Sequence, residues 1–382
     1  TFENPTIIRS ALDFTYESGL GSRLGQLDTK FGLAGATKSA RTQFEQAVAI
    51  LKWLDTATNK GVFIPNQSWS VGDILATQSR NPATPLARAL VYCQALIARG
   101  ITARIVFFGS RPACEFWSCD YGKWVLADCT AGGLFVDEEA MTPLSGLEMH
   151  SRMGKWLSRA TGDWPRDAGE FVQADGGPAD LGGVKGRAIG ARMLRPAGLS
   201  RPDDPLGVWP AAPMLLMPRN NFASSDRPTP LNIEVSPIGW PDLAVYLPSL
   251  SGLGDSVDDL FKVLGGLKRP CLAGGLSSPF RLIRQVSRER DFYPTLNQAQ
   301  MEIQHGRLPG ELMVYLDTQT PMFDSFQVNI DNSGFKSIPG ARSLHWQLVP
   351  GPNTLQVRVR NKAGAVGPAS CISIHFLPEA GN

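Results

Sequence analysis

The stretch Pro85–Thr130 constrains the fold more than any other part of the chain, because three consecutive elements can be read in it. It begins with the predicted helix PLARALVYCQALIAR. Thr84 can cap the first turn of this helix, and Pro85 occupies the first helical position, where the N–H that proline lacks would have no partner. Gly100 ends the helix. The predicted strand GITARIVFFG follows, and its continuous apolar run is typical of a sheet covered on both faces.

The next segment, ACEFWSCDYGKWVLADCT, predicts a β-hairpin with its tip at Tyr121–Gly122. In that register Glu115 lies opposite Asp128 on one face of the sheet, and Cys114 lies opposite Cys129 on the other face. The two cysteines would form either a cross-strand disulfide or two thiols, and the sequence leaves both alternatives open. Two carboxylates side by side are an arrangement in which one group can serve as general acid and the other as general base.

Helices are predicted on both sides of this stretch. The segment TQFEQAVAILKWLDTA begins with a capping box formed by Thr42 and Glu45, and its apolar residues follow the 3.6-residue period of a buried helix face. A short helix is predicted over 71–79. After the hairpin we expect a loop, AGGLFVDEEAMTPLS, and then the helix GLEMHSRMGKWLSRA. Helices packed on an antiparallel sheet make residues 1–160 an α+β domain.

The C-terminal part of the chain changes to the two-residue period of strands. Segments such as QAQMEIQHG, ELMVYLDT and FDSFQVNIDNSGF recur at short intervals with Gly, Pro and Asn turns between them. This pattern is typical of an antiparallel β-sandwich of immunoglobulin or fibronectin type, predicted for 291–382. The segments LNIEVSPI and LAVYLPSL predict a β-rich region over 230–290. Residues 161–229, rich in Gly and Pro, are predicted as long loops that wrap the first domain.

The composition excludes several classes of function. A formal net charge of +2 without a basic run gives no electrostatic surface for nucleic acid. No apolar stretch reaches the roughly 20 residues of a membrane-spanning helix. The six cysteines do not form the CxxC pairs of a zinc site, so we predict neither a metal nor a cofactor. Because the cysteine count is even and the chain starts at Thr1 rather than Met, a secreted or periplasmic location is expected.

Residues 42–130 resemble the bacterial transglutaminase-like domains, which have a papain-related fold. The resemblance lies in the helix FEQAVAILKWL, the helix-to-strand passage ALIARGITARIV, and the segment DYGKWVLADCT followed by PLSGLE. It implies a site in which a Cys opens the helix, a His lies on the first hairpin strand and an Asp ends the second. The C-terminal strands resemble the β-domains that often accompany secreted bacterial proteins.

The resemblance carries only one of these three catalytic residues onto this sequence. Pro85 stands where the family has its nucleophilic Cys, Ala113 stands where it has its His, and Asp128 alone matches. A shift of one residue in either direction restores no Cys–His pair. Thiol acyl transfer needs a thiolate, a base that forms it and a group that orients the base. Ordinary transglutaminase, protease or amidase activity is therefore not expected.

The first functional hypothesis is a protein that keeps the cleft of this degenerate site and binds a glycan or a polypeptide there. Arg88, Tyr92 and Trp117 are the side chains predicted to contact that ligand. A large amphipathic ring such as Trp117 can stack on a sugar.

Two enzymatic hypotheses are the alternatives. In the first, Glu115 and Asp128 act as acid and base on a polysaccharide, as a hydrolase or a lyase. The structural interpretation of the same residues is that each carboxylate is bonded to a nearby arginine, such as Arg88 or Arg104. In the second, a relocated thiol, Cys93 or Cys114, works with a distant His.

Overall fold

A computed structural model describes residues 2–3, 7–8, 22–59, 70–77, 83–108, 111–137, 139–161, 191–194, 214–216, 243–246, 283–286 and 293–377. The chain divides into two compact units. One, here called the α+β unit, is Leu12–Phe292. The other, here called the β unit, combines Thr1–Ala11 with Tyr293–Asn382.

The described helices of the α+β unit lie mostly before its sheet in the chain. They are α1 (Ser22–Phe31), α2 (Leu33–Thr37), α3 (Gln43–Ala57), α4 (Val71–Ala76), α5 (Pro85–Ala98) and α6 (Gly146–Thr161). Half of the predicted capping box of α3 is present, because Thr42 Oγ1 accepts from Glu45 N at 3.2 Å. The Glu45 carboxylate accepts from Arg41 N, one residue before the cap, rather than from Thr42 N. The predicted helix at 71–79 is also confirmed as α4.

The described strands of this unit form one sheet. They are β2 (Ala103–Phe108), β3 (Arg111–Ser118), β4 (Lys123–Asp128), β5 (Gly133–Asp137), β6 (Ala191–Leu194), β7 (Met214–Leu216), β8 (Leu243–Tyr246) and β9 (Ile283–Val286). Their order is β6-β5-β4-β3-β2-β7-β8-β9. Neighbours are antiparallel except for the β8–β9 pair, which is parallel.

Helix α5 is the centre of the helical layer. Every residue from Leu86 to Ile97 is buried, which fits a helix that is apolar around most of its circumference. Thr84 Oγ1 caps it by accepting from Ala87 N at 3.1 Å. The helix packs on β2 and β3, as the sequence predicts for a helix followed directly by a strand and a hairpin.

Strands occur at places where the sequence predicts loops. The predicted loop 131–145 contains β5, and two stretches within 161–229 form β6 and β7. These strands are short, and pairing within the sheet stabilises them. Their sequences are therefore too short to show the two-residue period of a strand. The predicted strand LNIEVSPI lies outside the described residues.

The β unit consists of two antiparallel sheets. Its strands are β1 (Phe2–Glu3), β10 (Gln300–His305), β11 (Glu311–Asp317), β12 (Phe323–Ile330), β13 (Lys336–Pro339), β14 (Ser343–Gln347), β15 (Gly351–Asn361) and β16 (Ser370–Phe376). The five-stranded sheet has the order β1-β16-β15-β12-β13, and the three-stranded sheet has the order β10-β11-β14.

A single apolar core joins the two sheets of the β unit. Alternate residues of β11 and β15 enter it, together with Phe326 and Trp346 from neighbouring strands. The predicted fold class is thus confirmed as helices on an antiparallel sheet, followed by an all-β sandwich. Among the helices that the structure describes, none is long and apolar enough to cross a membrane.

Candidate functional site

The hairpin of β3 and β4 has a different register from the predicted one. Glu115 pairs with Leu126 and Cys114 pairs with Ala127, so the pairings of Glu115 with Asp128 and of Cys114 with Cys129 are wrong by two residues. The connection between the strands runs over 119–122 rather than through a two-residue turn. Because the period of a strand is two, a shift of two residues leaves every side chain on its predicted face.

The two faces of the hairpin meet different surroundings. Cys114 and Phe116 on β3, with Val125 and Ala127 on β4, belong to the core that contains α5. By alternation, Glu115 faces away from that helix, together with Ala113 and Trp117 on the same strand. The candidate acid–base face therefore lies on the side of the sheet opposite the helix whose first residue is Pro85.

Glu115 lies in a buried ion pair. Its Oε2 accepts from Arg104 Nε at 3.0 Å and from Nη2 at 2.8 Å, and the exposed fractions of the two side chains are 0% and 1%. Arg104 stands directly opposite Glu115 in the β2–β3 register, and its guanidinium lies 3.8 Å from the ring centroid of Trp124. This geometry matches the structural interpretation, in which Glu115 is bonded to a nearby arginine.

The second oxygen of Glu115 binds the start of helix α6. Glu115 Oε1 accepts from Gly146 N at 2.7 Å, at the first residue of that helix. The first N–H groups of a helix have no partner within it, and the helix dipole favours a negative charge at this end. The carboxylate thus joins three pieces of the fold: the strand β3, the neighbouring strand β2 and the N-terminus of α6.

A capping box holds the same end of α6. Glu148 N donates to Ser145 Oγ at 3.3 Å, and Ser145 N donates to Glu148 Oε2 at 2.7 Å. Glu148 also forms an ion pair with Lys123 at 2.6 Å, which ties the box to β4. The first turn of α6, beside Glu115, is therefore held by the side chains of Ser145, Glu148 and Lys123.

The segment between β5 and α6 is anchored by Asp137. Its carboxylate accepts from Glu139 N at 2.9 Å and from Ala140 N at 2.7 Å, and it pairs with Arg152 of α6 at 2.6 Å. The Ala140 N–H, followed by the Arg152 side chain, holds the pKa of Asp137 below its usual value. This segment runs back between β4 and β5, because Leu144 N donates to the Phe135 carbonyl and Leu144 O accepts from Leu126 N.

Asp128 ends β4, as the sequence predicts, and its side chain organises the turn that follows. Its Oδ1 accepts from the backbone N–H groups of Thr130 and Ala131, both at 2.9 Å, and the residue is 1% exposed. This is an Asx-type turn. Ala113, at the position of the family's His, is likewise 1% exposed. Two of the three triad positions are thus buried, whereas Pro85 is partly exposed.

Arg88 contacts other groups than Asp128. Its Nε donates to the Cys129 carbonyl at 2.9 Å, Nη1 donates to Thr58, and Nη2 pairs with Asp55 at 2.9 Å. The guanidinium joins α5 to the end of α3 and to the turn after β4. Its side chain is 1% exposed.

The other two predicted ligand contacts are buried as well. The hydroxyl of Tyr92 donates to the Ala47 carbonyl at 3.0 Å. Trp117 packs edge-on against Trp124 with their ring centroids 6.0 Å apart. Among the described residues the indole N–H of Trp117 has no hydrogen-bond partner. The assignment of Arg88, Tyr92 and Trp117 to a ligand stays a prediction, and a ligand would reach them only if the residues that cover them moved.

Three cysteines of the α+β unit are buried thiols. Cys93, Cys114 and Cys129 are each 0% exposed and lie in the core around Tyr92, and none is in a disulfide. Burial raises the pKa of Cys114 and of Cys129 well above the usual value of a thiol. Within the described part of the chain, no group of three or more His, Cys, Asp and Glu residues is arranged to hold a metal ion.

The sequence contains a local signal for part of this arrangement. The pattern S-G-L-E at 145–148 is a capping box, and it marks the start of α6 at the residue that Glu115 binds. The contact itself joins residues 31 positions apart, so no local pattern could show it.

Comparison with known proteins identifies no family for this chain. No family model matches the chain, and no curated protein matches it. Among solved structures, the PKD1 domain of Vibrio anguillarum Epp matches 21% of this chain and 93% of its own length. The identity is 14% and the TM-score is 0.17.

Proposed function

We propose that this chain is a secreted or envelope-associated bacterial binding protein with a transglutaminase-like domain that does not catalyse, and that its ligand is a glycan or a peptide. The observation that carries the proposal is the state of the three triad positions. Pro85 and Ala113 replace the thiol and the imidazole, and the carboxylate of Asp128 accepts two backbone N–H groups of its own turn. An orienting carboxylate without a base and a nucleophile cannot perform acyl transfer.

The acid–base alternative meets a geometric objection. A general acid or base must come within hydrogen-bond reach of the substrate. Glu115 is fully buried, and its two oxygens accept from Arg104 and from Gly146 N. The same contacts explain why a carboxylate stands at this position in a protein without such chemistry.

The relocated-thiol alternative predicts reactive cysteines, whereas a structural role predicts inert ones. Cys93, Cys114 and Cys129 are expected to stay unmodified when the native protein is treated with iodoacetamide at neutral pH, because they are buried and burial keeps the Cys114 and Cys129 thiols protonated. Peptide mass spectrometry measures this. After denaturation all three should be labelled without prior reduction. Labelling of any of them in the native protein within minutes would revive the thiol hypothesis.

The binding role is tested on the full chain with two ligand libraries, one of oligosaccharides and one of peptides. We expect binding of one class by calorimetry, and no product by mass spectrometry after long incubation. Turnover of a glycan that Asp128→Asn abolishes in a folded variant would overturn the proposal in favour of the acid–base enzyme. Absence of binding to both libraries would overturn it as well.

A further inference from the structure

The middle strand of the three-stranded sheet in the β unit presents an aromatic ring to solvent. Strand β11 alternates strictly, with Leu312, Val314 and Leu316 buried in the sandwich core. Tyr315, between two of these residues, points to the opposite face and is 43% exposed. A large ring at the centre of a sheet is normally packed by its cross-strand neighbours.

The cross-strand neighbours of Tyr315 leave the ring uncovered. They are Glu302 on β10 and Ser343 on β14, both exposed. In the next row of the same face, Met313 lies between Gln304 and His345. The ring thus lies on the open face of the sheet, with the Met313 thioether in the next row and hydrogen-bonding groups on both neighbouring strands.

Several of the surrounding polar groups lie within hydrogen-bond distance of one another. Gln304 Nε2 lies 3.4 Å from Glu302 Oε1, and His345 Nδ1 lies 3.1 Å from Glu311 Oε1. An exposed aromatic ring with hydrogen-bonding groups at its rim offers the two kinds of contact that an amphipathic ligand uses.

From this juxtaposition we infer that the open face of the three-stranded sheet binds a neutral glycan that stacks on Tyr315. A sugar ring has an apolar C–H face, which packs on an aromatic ring, and hydroxyl groups at its rim, which need donors and acceptors such as Glu302, Gln304, Ser343 and His345. An open sheet face suits this ligand, because the sugar can stack on the Tyr315 ring while its hydroxyl groups form hydrogen bonds with the polar side chains around that ring.

The charge of the face selects against acidic glycans. The strand register places three carboxylates on this face, those of Glu302, Glu311 and Asp317, and the guanidinium of Arg342 lies 3.6 Å from Asp317. His345 adds a positive charge only when protonated. A sulfated or uronic acid glycan would therefore meet net repulsion.

The position of Tyr315 also favours a glycan over a peptide. An extended peptide binds a sheet by adding a strand to an unpaired edge. Strand β11 lies between β10 and β14 and is hydrogen-bonded on both edges, so Tyr315 is presented on a face and not at an edge. The inference rests on the proposed binding role but assigns the contact to the β unit rather than to the residues of the degenerate triad.

The test uses the full chain and neutral hexose oligosaccharides, with affinity measured by calorimetry. Tyr315→Ala is expected to weaken binding about tenfold or more, as truncation of a central aromatic anchor does. Tyr315→Phe keeps the ring and should stay within about threefold of the wild-type affinity. Tyr121→Ala is the matched control, because Tyr121 is also 43% exposed but belongs to the α+β unit, and it should leave affinity unchanged.

The outcomes separate this inference from the proposed function. If the wild-type chain binds a neutral glycan and Tyr315→Ala binds it within twofold, the assignment of the site is wrong while the binding role stands. If the chain binds only peptides, the glycan assignment is wrong and the peptide branch of the proposed function remains. Tighter binding of a sulfated oligosaccharide than of its neutral counterpart would contradict the charge argument. Thermal unfolding of each variant verifies that the fold is intact.

Discussion

Glu115→Gln is expected to lower the free energy of unfolding by about 3–5 kcal/mol, because it leaves the guanidinium of Arg104 buried without a charged partner. Both side chains are at most 1% exposed, so solvent cannot replace the lost carboxylate. Urea denaturation followed by tryptophan fluorescence measures the change, and the ring of Trp124 beneath Arg104 reports on the site directly.

Two further variants test whether the loss of stability comes from the unpaired buried charge or from replacing any glutamate by glutamine. Glu139→Gln removes an exposed carboxylate from the same unit and should change stability by less than about 0.5 kcal/mol. The double variant Arg104→Met with Glu115→Gln should recover much of the loss, because no unpaired charge remains in the core and the amide oxygen can still accept from Gly146 N. A Glu115→Gln variant that is as stable as Glu139→Gln, yet loses a measured glycan turnover, would support the acid–base enzyme instead.

The elements around α5 could be predicted because their signals are local. Thr84 and Pro85 start the helix, Gly100 ends it, and the apolar run after it gives β2. The same holds for the β-sandwich, whose strands alternate in burial as their sequences alternate in polarity. For these elements the period of the sequence and the packing of the fold agree.

The register of the hairpin depended on contacts that a local pattern does not contain. A two-residue turn would have required a positive φ at Tyr121, which is unfavourable for a residue with a side chain. In the longer connection Gly122 has φ 60°, while Asp120 accepts from Phe44 N at 2.6 Å and Tyr121 packs edge-on against the Phe44 ring. Helix α3 thus fixes the tip of the hairpin from 76 residues away.

The sequence predicts the face that Glu115 and Asp128 share, but not the contacts that each carboxylate makes. The sequence brought Glu115 and Asp128 to one face and allowed Arg104 as a partner of one of them. It could not show that the N-terminus of α6 would reach Glu115, nor that Asp128 would use its carboxylate in its own turn. The contact with Glu115 follows from how the chain returns after β5, where the sequence pattern predicts only a loop, whereas the contacts of Asp128 are made in the turn before β5.

That return makes Gly146 a position at which a single methyl group has a large expected effect. A Cβ at this residue would lie 2.8 Å from Glu115 Oε1, 2.9 Å from Phe108 Cζ and 3.2 Å from Met214 Cε. The end of Met214 can move, whereas the Phe108 ring is fully buried and the Glu115 carboxylate is held by its ion pair. Gly146→Ala is therefore expected to lower the free energy of unfolding by about 1–3 kcal/mol.

The matched control is Gly25→Ala in helix α1, where an added Cβ has no neighbour within 4 Å. Because alanine favours a helix over glycine, this variant should gain up to about 1 kcal/mol, so the two substitutions are expected to have opposite signs in urea denaturation. A Gly146→Ala variant that is as harmless as Gly25→Ala would mean that the junction of α6 and Glu115 is loose. A substrate oxygen could then fit beside the Glu115 carboxylate, which is the contact that the acid–base hypothesis requires. Opposite signs would place the methyl group in a closed junction, where a substrate could not approach Glu115 either.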